Sequence, residues 1–243
     1  MNTKMKVLSL ALVGLCGYAG SAMAVCPTDP AQPTGAWSSK SVLGGALTVS
    51  TPGYETTECK LDASITSATF GSAYVRDDSP ASEPHYRARF LVDTDALTGL
   101  NSLQSVRLLS ANTETPYLSI GETVRVSVFG NLAGTAQSLA IAAGCEGATS
   151  NLCSTNVPLT GTSPHVVQIE WIKGTTGTIN IWVDNGVEGT PTATLPGNTN
   201  GWVVDYAVLG LSTSSPGYRA SQLNKVVSFD QFDSRRTTFI PSP

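Results

Sequence analysis

Residues 166–186 read VVQIEWIKGTTGTINIWVDNG, and this stretch decides the fold. Val167, Ile169 and Trp171 alternate with Gln168 and Glu170, and Ile179, Ile181 and Val183 alternate with Asn180 and Trp182. A period of two puts successive side chains on opposite faces, so Val166 to Lys173 and Thr178 to Asp184 are two half-buried strands. Gly174-Thr175-Thr176-Gly177 joins them as a hairpin. Asn185-Gly186 supplies the positive φ angles of a tight turn, so another hairpin is expected to follow.

The same signature recurs on either side. Tyr86 to Val92, Ser105 to Ala111, Thr123 to Phe129, Ala136 to Ala143, Trp202 to Ser212 and Lys225 to Phe232 are rich in Val, Ile, Thr and aromatics. Weaker segments lie near Ala46 to Ser50 and Ile65 to Val75, which makes about ten to twelve strands. In Thr123 to Phe129 the residues Val124, Val126 and Val128 face one way and Arg125, Ser127 and Phe129 the other. One face is thus wetter than its opposite, which two antiparallel sheets packed face to face satisfy. The expectation is an all-β chain forming one two-sheet antiparallel β-sandwich over residues 25–243, with a closed barrel as the alternative architecture. A transmembrane barrel is disfavoured, because the chain closes on Phe239-Ile240-Pro241-Ser242-Pro243 with no terminal aromatic strand.

Composition agrees. Only 13% of the 243 residues are charged while 41% are hydrophobic, enough apolar material for a core and incompatible with wholesale disorder. The 23 Gly and 14 Pro exclude a coiled coil or long helical bundle. Lys4 and Lys6 precede an apolar run from Val7 to Ala19, and Ser21-Ala22-Met23-Ala24 offers a small-x-small cleavage site. Residues 1–24 are therefore expected to be a Sec signal peptide, with no transmembrane segment in the mature chain. Cys16 is not a lipidation site in this reading, since Leu15 precedes it where a small residue is needed. Of the fourteen Lys and Arg, two leave with the leader, so twelve face eighteen Asp and Glu, a net charge near −6. With no basic stripe to neutralise phosphates, nucleic acid is excluded as a partner.

Four cysteines remain, Cys26, Cys59, Cys145 and Cys153, an even number in an exported chain with no Cys-x-x-Cys pair. Two disulfides are expected. Cys145 to Cys153 would close a Gly/Ser/Asn-rich loop and Cys26 to Cys59 would tie the mature N-terminus to the body, worth roughly 2.6 and 3.8 kcal/mol by chain entropy. A zinc site, the alternative, lacks ligand spacing, and His85 and His165 are far from all four cysteines in sequence.

Five elements in order carry a family resemblance: Tyr-Arg-Ala-Arg-Phe (Tyr86 to Phe90), a strand ending in Glu170-Trp171, Val183-Asp184-Asn185-Gly186, Leu209-Gly210 and Phe229-Asp230-Gln231-Phe232-Asp233. This order resembles the concanavalin A-like lectin/glucanase superfamily, and laminin-G-like jelly rolls show the same late pattern. The resemblance implies a jelly roll, a fold that hosts lectins, hydrolases and adhesion modules alike.

Glycanases of that superfamily carry Glu-x-Asp-x-x-Glu on one strand so that acid and nucleophile reach one glycosidic oxygen. No such run exists here. Glu170 and Asp184 stand alone, and the spacing of three between Asp230 and Asp233 is expected to put them on opposite faces. There is no Gly-x-Ser-x-Gly elbow, and His85 and His165 each follow a proline and are expected at loop edges. No catalytic residue is assigned.

Asp93-Thr94-Asp95 follows a strand and precedes Gly99 and Asn101, so Asp93 and Asp95 could gather oxygen ligands for calcium, although Asp is equally what a turn prefers. No other cofactor is implied. If Ile179, Ile181 and Val183 face the core, Trp182 faces out beside Asn180, with Glu170 and Gln168 on the paired strand and Arg87 and Arg89 on the next. An aromatic ring stacks on the apolar face of a pyranose while carboxylate, amide and guanidinium groups meet its hydroxyls. In the competing reading a loop covers Trp182 and the arginines make ordinary cross-strand pairs with Glu170. Trp171 belongs to the core, whereas alternation leaves the facing of Trp202, Tyr206, Phe229 and Phe232 open. These residues describe an exported bacterial jelly roll, periplasmic or extracellular, that binds a glycan or cell-envelope component without catalysis. A structural or adhesive module that binds protein is the alternative.

Overall fold

The computed structural model describes residues 26–33, 35–55 and 57–241, and the expected signal peptide lies outside the described residues. Among the described residues, fourteen strands form two seven-stranded antiparallel sheets. The first sheet runs, in spatial order, β1 (Ser39–Leu43), β4 (Ser72–Asp77), β13 (Tyr206–Leu211), β6 (Ser105–Tyr117), β7 (Ile120–Gly130), β8 (Gln137–Gly144) and β9 (Leu152–Pro158). The second runs β12 (Ala193–Gly197), β11 (Gly177–Val183), β10 (His165–Ile172), β5 (His85–Asp93), β14 (Val227–Arg235), β3 (Lys60–Ile65) and β2 (Gly45–Ser50). The short α-helix α1 (Pro216–Ser221) is capped by the Ser215 hydroxyl, which accepts from the Tyr218 N–H at 3.1 Å.

The core is one contiguous cluster between the sheets. Tyr86, Ala88, Phe90, Val167, Ile169, Trp171, Ile179 and Ile181 line it from the second sheet, and Leu109, Val124, Val126, Val128, Leu139, Ile141 and Leu209 from the first. The alternation read from the central strands therefore holds residue for residue. The structure resolves the cases that alternation leaves open. Trp202 and Phe229 are buried, Tyr206 is half-buried beneath the Arg76 guanidinium, 3.7 Å from its ring centroid, and Phe232 packs on Trp37 at 4.9 Å.

Fourteen strands exceed the expected ten to twelve. Three of the additional ones, β1, β9 and β12, are sheet edges. Edge strands bury one side only and accept residues such as Pro196, so they lose the period-two signal. The segment expected as one strand from Ile65 to Val75 is two, because the chain leaves the second sheet at Ile65 and enters the first at Ser72. Thr66 and Ser67 both donate their N–H to the Gly44 carbonyl at 3.0 Å, which stabilises that crossing. Likewise β13 starts at Tyr206 instead of Trp202, since Val204 exchanges backbone hydrogen bonds with Glu83 outside either sheet. The hairpin expected after Asp184 forms as β11–β12, but through the loop 184–192 instead of a tight turn, with Asp184 itself at φ +52°.

Both disulfides are present, Cys26–Cys59 and Cys145–Cys153. Among the described residues no helix is long and apolar enough to cross a membrane. The Cys145–Cys153 bridge links β8 to β9 and lies against Gly197 of β12, at the seam where the edges of the two sheets meet. A Cβ at Gly197 would fall 2.4 Å from Cys145 Sγ and 2.8 Å from Cys153 Sγ. Gly197→Ala should therefore destabilise the fold by about 1–3 kcal/mol, lowering the calorimetric melting midpoint by several degrees. Gly189→Ala, whose Cβ meets nothing within 4 Å, should leave the midpoint unchanged.

Candidate functional site

Because Val167, Ile169 and Trp171 face the core, Gln168 and Glu170 of β10 face outward, and the same holds for Arg87 and Arg89 of β5 and Asn180 and Trp182 of β11. Antiparallel register aligns them in two cross-strand rows, Arg87–Glu170–Asn180 and Arg89–Gln168–Trp182. The five residues expected to form a binding face are thus brought together, with Gln168 between them. Arg235 and Asp233 of β14 extend the two rows beyond Arg87 and Arg89.

The spacing argument that put Asp230 and Asp233 on opposite faces does not hold. A bulge between them leaves Asp230 opposite Leu91 and Asp233 opposite Arg89, two positions of the same outward face of β5. Gln231, at φ +49°, supplies the extra residue. Sequence spacing cannot reveal a bulge that inserts one residue.

Glu170 is the hub of the first row. Its Oε1 meets His85 Nε2 at 2.7 Å and the Arg87 guanidinium, and its Oε2 accepts from Asn180 Nδ2 at 2.8 Å. Burial alone would raise this carboxyl, but the Asn180 and His85 hydrogen bonds and the Arg87 charge outweigh it and hold Glu170 below the ordinary value of 4.5. Arg87 also donates to Glu188 Oε1 at 3.0 Å. Burial pulls the Arg89 guanidinium below its usual value against the opposing charge of Asp233. His85 was not expected at the site, although its alternation with Arg87 and Arg89 was legible. Glu188 comes from the loop 184–192, whose path no periodicity encodes.

The face is covered. The Trp182 indole N–H donates to the Val187 carbonyl at 3.0 Å, and the Phe239 ring meets Trp182 edge-on at 5.5 Å. Trp182, outward by alternation, is consequently only 2% exposed, Gln168 3% and Arg87 5%, which together with the Arg87–Glu170 pair matches the competing expectation of a covered Trp182 and a cross-strand ion pair. Beneath the cover, Arg87 Nε and Nη1, Arg89 Nε and Gln168 Nε2 are buried with no hydrogen-bond partner among the described residues. All four are donors.

The remaining expected residues lie elsewhere. Asp93 accepts from the Tyr54 hydroxyl at 2.8 Å and from the Asp95 N–H at 2.9 Å, and Asp95 accepts from the Ser163 hydroxyl at 2.9 Å. No group of three or more His, Cys, Asp or Glu among the described residues is placed to hold a metal. His165 Nδ1 contacts Asp184 Oδ2 at 2.7 Å, and Asp184 also accepts from the Val166 N–H, which ties β10 to the end of β11. A groove of about 520 Å³ lined by Pro30, Trp37, Asp77 and Phe232 opens beside the β14 bulge and includes none of the rows' paired arginine, Gln168, Glu170 or Trp182 side chains.

No protein-family model and no curated protein sequence matches the chain. Solved structures do. An endo-β-1,4-glucuronan lyase from the fungus Trichoderma reesei superposes with a TM-score of 0.59 at 12% identity, over 88% of this chain and 96% of that one. An alginate lyase, crystallised as a mutant with an alginate tetrasaccharide, gives 0.53 at 13% identity over 74% and 82% of the chains. A carbohydrate esterase from the Shiga toxin-encoding bacteriophage phi24B gives 0.51 at 11% identity over 82% and 90%. These structures share the fold of this chain, a two-sheet jelly-roll β-sandwich, which is the architecture that the sequence resemblance implied.

Replacing Glu170 by Gln would leave the buried Arg87 without its principal counter-charge. The expected cost at pH 7 is on the order of 2–3 kcal/mol in denaturant unfolding. Because the folded Glu170 pKa is depressed, its stabilisation is complete above 4.5 and is lost as the pH falls through the folded value. The gap between wild type and Glu170→Gln should accordingly be constant near neutrality and shrink in acid. A gap that is flat down to low pH would refute the ion-pair assignment.

Proposed function

We propose that the outward face of β5, β10 and β11 binds a saccharide carrying carboxylate groups, and that the protein acts by binding instead of by cleavage. The four buried donors without acceptors carry this reading. A buried N–H with no partner is costly, and this cluster, three donors on two guanidinium groups and one on the Gln168 amide, is complementary to a ligand rich in acceptor oxygens, best of all an anion. Trp182 adds the aromatic surface on which a pyranose ring stacks. The two disulfides fit an oxidising compartment, which accords with export by the Sec route and with a glycan of the cell envelope or the surroundings as partner. The lyases of similar fold act on glucuronan and on alginate, and those polymers are the natural test ligands.

Glu170 supports binding over catalysis. Its carboxylate is engaged by three partners and held below the ordinary range, so at neutral pH it is a weak base and carries no proton to donate.

The test is calorimetric titration with oligosaccharides of glucuronan and alginate and with a neutral glucan of equal length, combined with chromatography of the incubated sugars. The acidic oligomers should bind and the neutral one should not, and Gln168→Ala should weaken binding about tenfold or more, as expected for a lost charge-assisted hydrogen bond. Equal affinity for the neutral glucan would remove the acidic-saccharide assignment. Release of shorter oligomers would convert the binding face into an active site.

A further inference from the structure

The chain does not leave the sandwich where β14 ends. Arg236 is clamped, its Nε 2.7 Å from Glu83 Oε1 and its Nη2 donating to the Ser79 carbonyl at 3.0 Å. Thr237 and Thr238 are exposed, and the following residues lie across the outward face of the second sheet. Phe239 sits against Trp182, with the Arg87 guanidinium 5.5 Å from the Phe239 ring centroid and 5.9 Å from that of Trp182. The Phe239 carbonyl accepts from Arg235 Nη1 at 3.2 Å, the Pro241 carbonyl accepts from Arg89 Nη1, and Ile240 is 1% exposed.

These contacts imitate a ligand. An apolar ring covers the indole, and two carbonyl oxygens meet guanidinium groups of the rows. The imitation is incomplete, because four donors under it stay unpaired among the described residues, and neither disulfide ties the segment down. We propose that residues 237–241 are an internal strap, hinged after Arg236, that occupies the saccharide site and is displaced when an acidic saccharide binds. The inference rests on the binding reading above and adds regulation of that site. With the strap closed most of the time, the apparent dissociation constant is the intrinsic one divided by the open fraction, so the full chain binds more weakly than its sheet face allows.

Two variants test this against the full chain: one ending at Arg236, which keeps the Glu83 clamp, and one of full length carrying Phe239→Ser and Ile240→Ser. Each is titrated with the glucuronan and alginate oligomers after its cooperative melting is checked. Both variants should bind about tenfold or more tightly than the full chain. Without ligand, both should also show red-shifted tryptophan emission that disappears when Trp182→Phe is added. Should the shortened chain fail to fold, the full-length double variant decides alone. Equal affinities would overturn the strap and leave the saccharide site standing. Weaker binding by the variants would also overturn it, by making the segment part of the site. If all the proteins fold and none binds any acidic oligomer, the saccharide reading fails and the strap fails with it.

Discussion

The outward chemistry of this molecule depends on the burial of Val167, Ile169 and Trp171 beneath the centre of the second sheet. A strand has two faces, and a shift of one residue would carry all three into solvent and put Gln168 and Glu170 into an apolar core. Desolvating a carboxylate without partners costs far more than the rest of the strand could return. The register of β10 is thereby fixed. Because β5 and β11 pair with it across Ala88–Ile169–Ile181 and Phe90–Val167–Val183, the positions of both arginines, Asn180 and Trp182 follow from the same constraint.

Once the sheet has set those positions, charge decides what they do. Arg87 and Glu170 are both nearly enclosed, and an enclosed ion pair is favourable only when its remaining hydrogen-bonding capacity is met. On the carboxylate side it is met, by His85 and Asn180. On the guanidinium side it is not, since only Nη2 of Arg87 finds acceptors, in Glu170 and Glu188. The face therefore has an excess of donors, shared among Arg87, Arg89 and Gln168. An occupant that brings oxygen acceptors improves the balance, and one that brings another amine or guanidinium worsens it.

Period-two patterning made the central strands, the core and the membership of the outward rows legible, because those strands are buried on one side and polar on the other. The count and spacing of the four cysteines, and not the alternation, pointed to the two pairs that form, although four cysteines allow three connectivities. What patterning could not give are features without periodicity. Three sheet edges, β1, β9 and β12, carry too little one-sided burial to register. The loop that brings Glu188 to Arg87, and the terminal residues that bring Phe239 to Trp182, are long-range contacts between segments with no repeating pattern of their own. Trp182 shows the limit most clearly. Alternation correctly placed it outward, and outward proved not to mean exposed.

The least legible feature, the β14 bulge, has the widest consequences. A regular strand from Asp230 would place residue 233 inward and send residue 235 toward the core. The extra residue at Gln231 reverses this, so that Asp233 and Arg235 stand over Arg89 and Arg87 while Phe232 packs beside Trp37. The bulge is held in place by Asp230, whose Oδ2 accepts from the Tyr54 N–H at 2.7 Å and whose Oδ1 accepts from the Gln231 N–H at 2.7 Å. Arg235, aimed outward by that shift, then holds the Phe239 carbonyl. The placement of the terminal residues on the donor-rich face is thus a consequence of sheet register, transmitted from the buried tryptophan of β10 through β5 to the last strand, and it does not depend on the strap's own sequence beyond the few side chains that meet Trp182, Arg87 and Arg89.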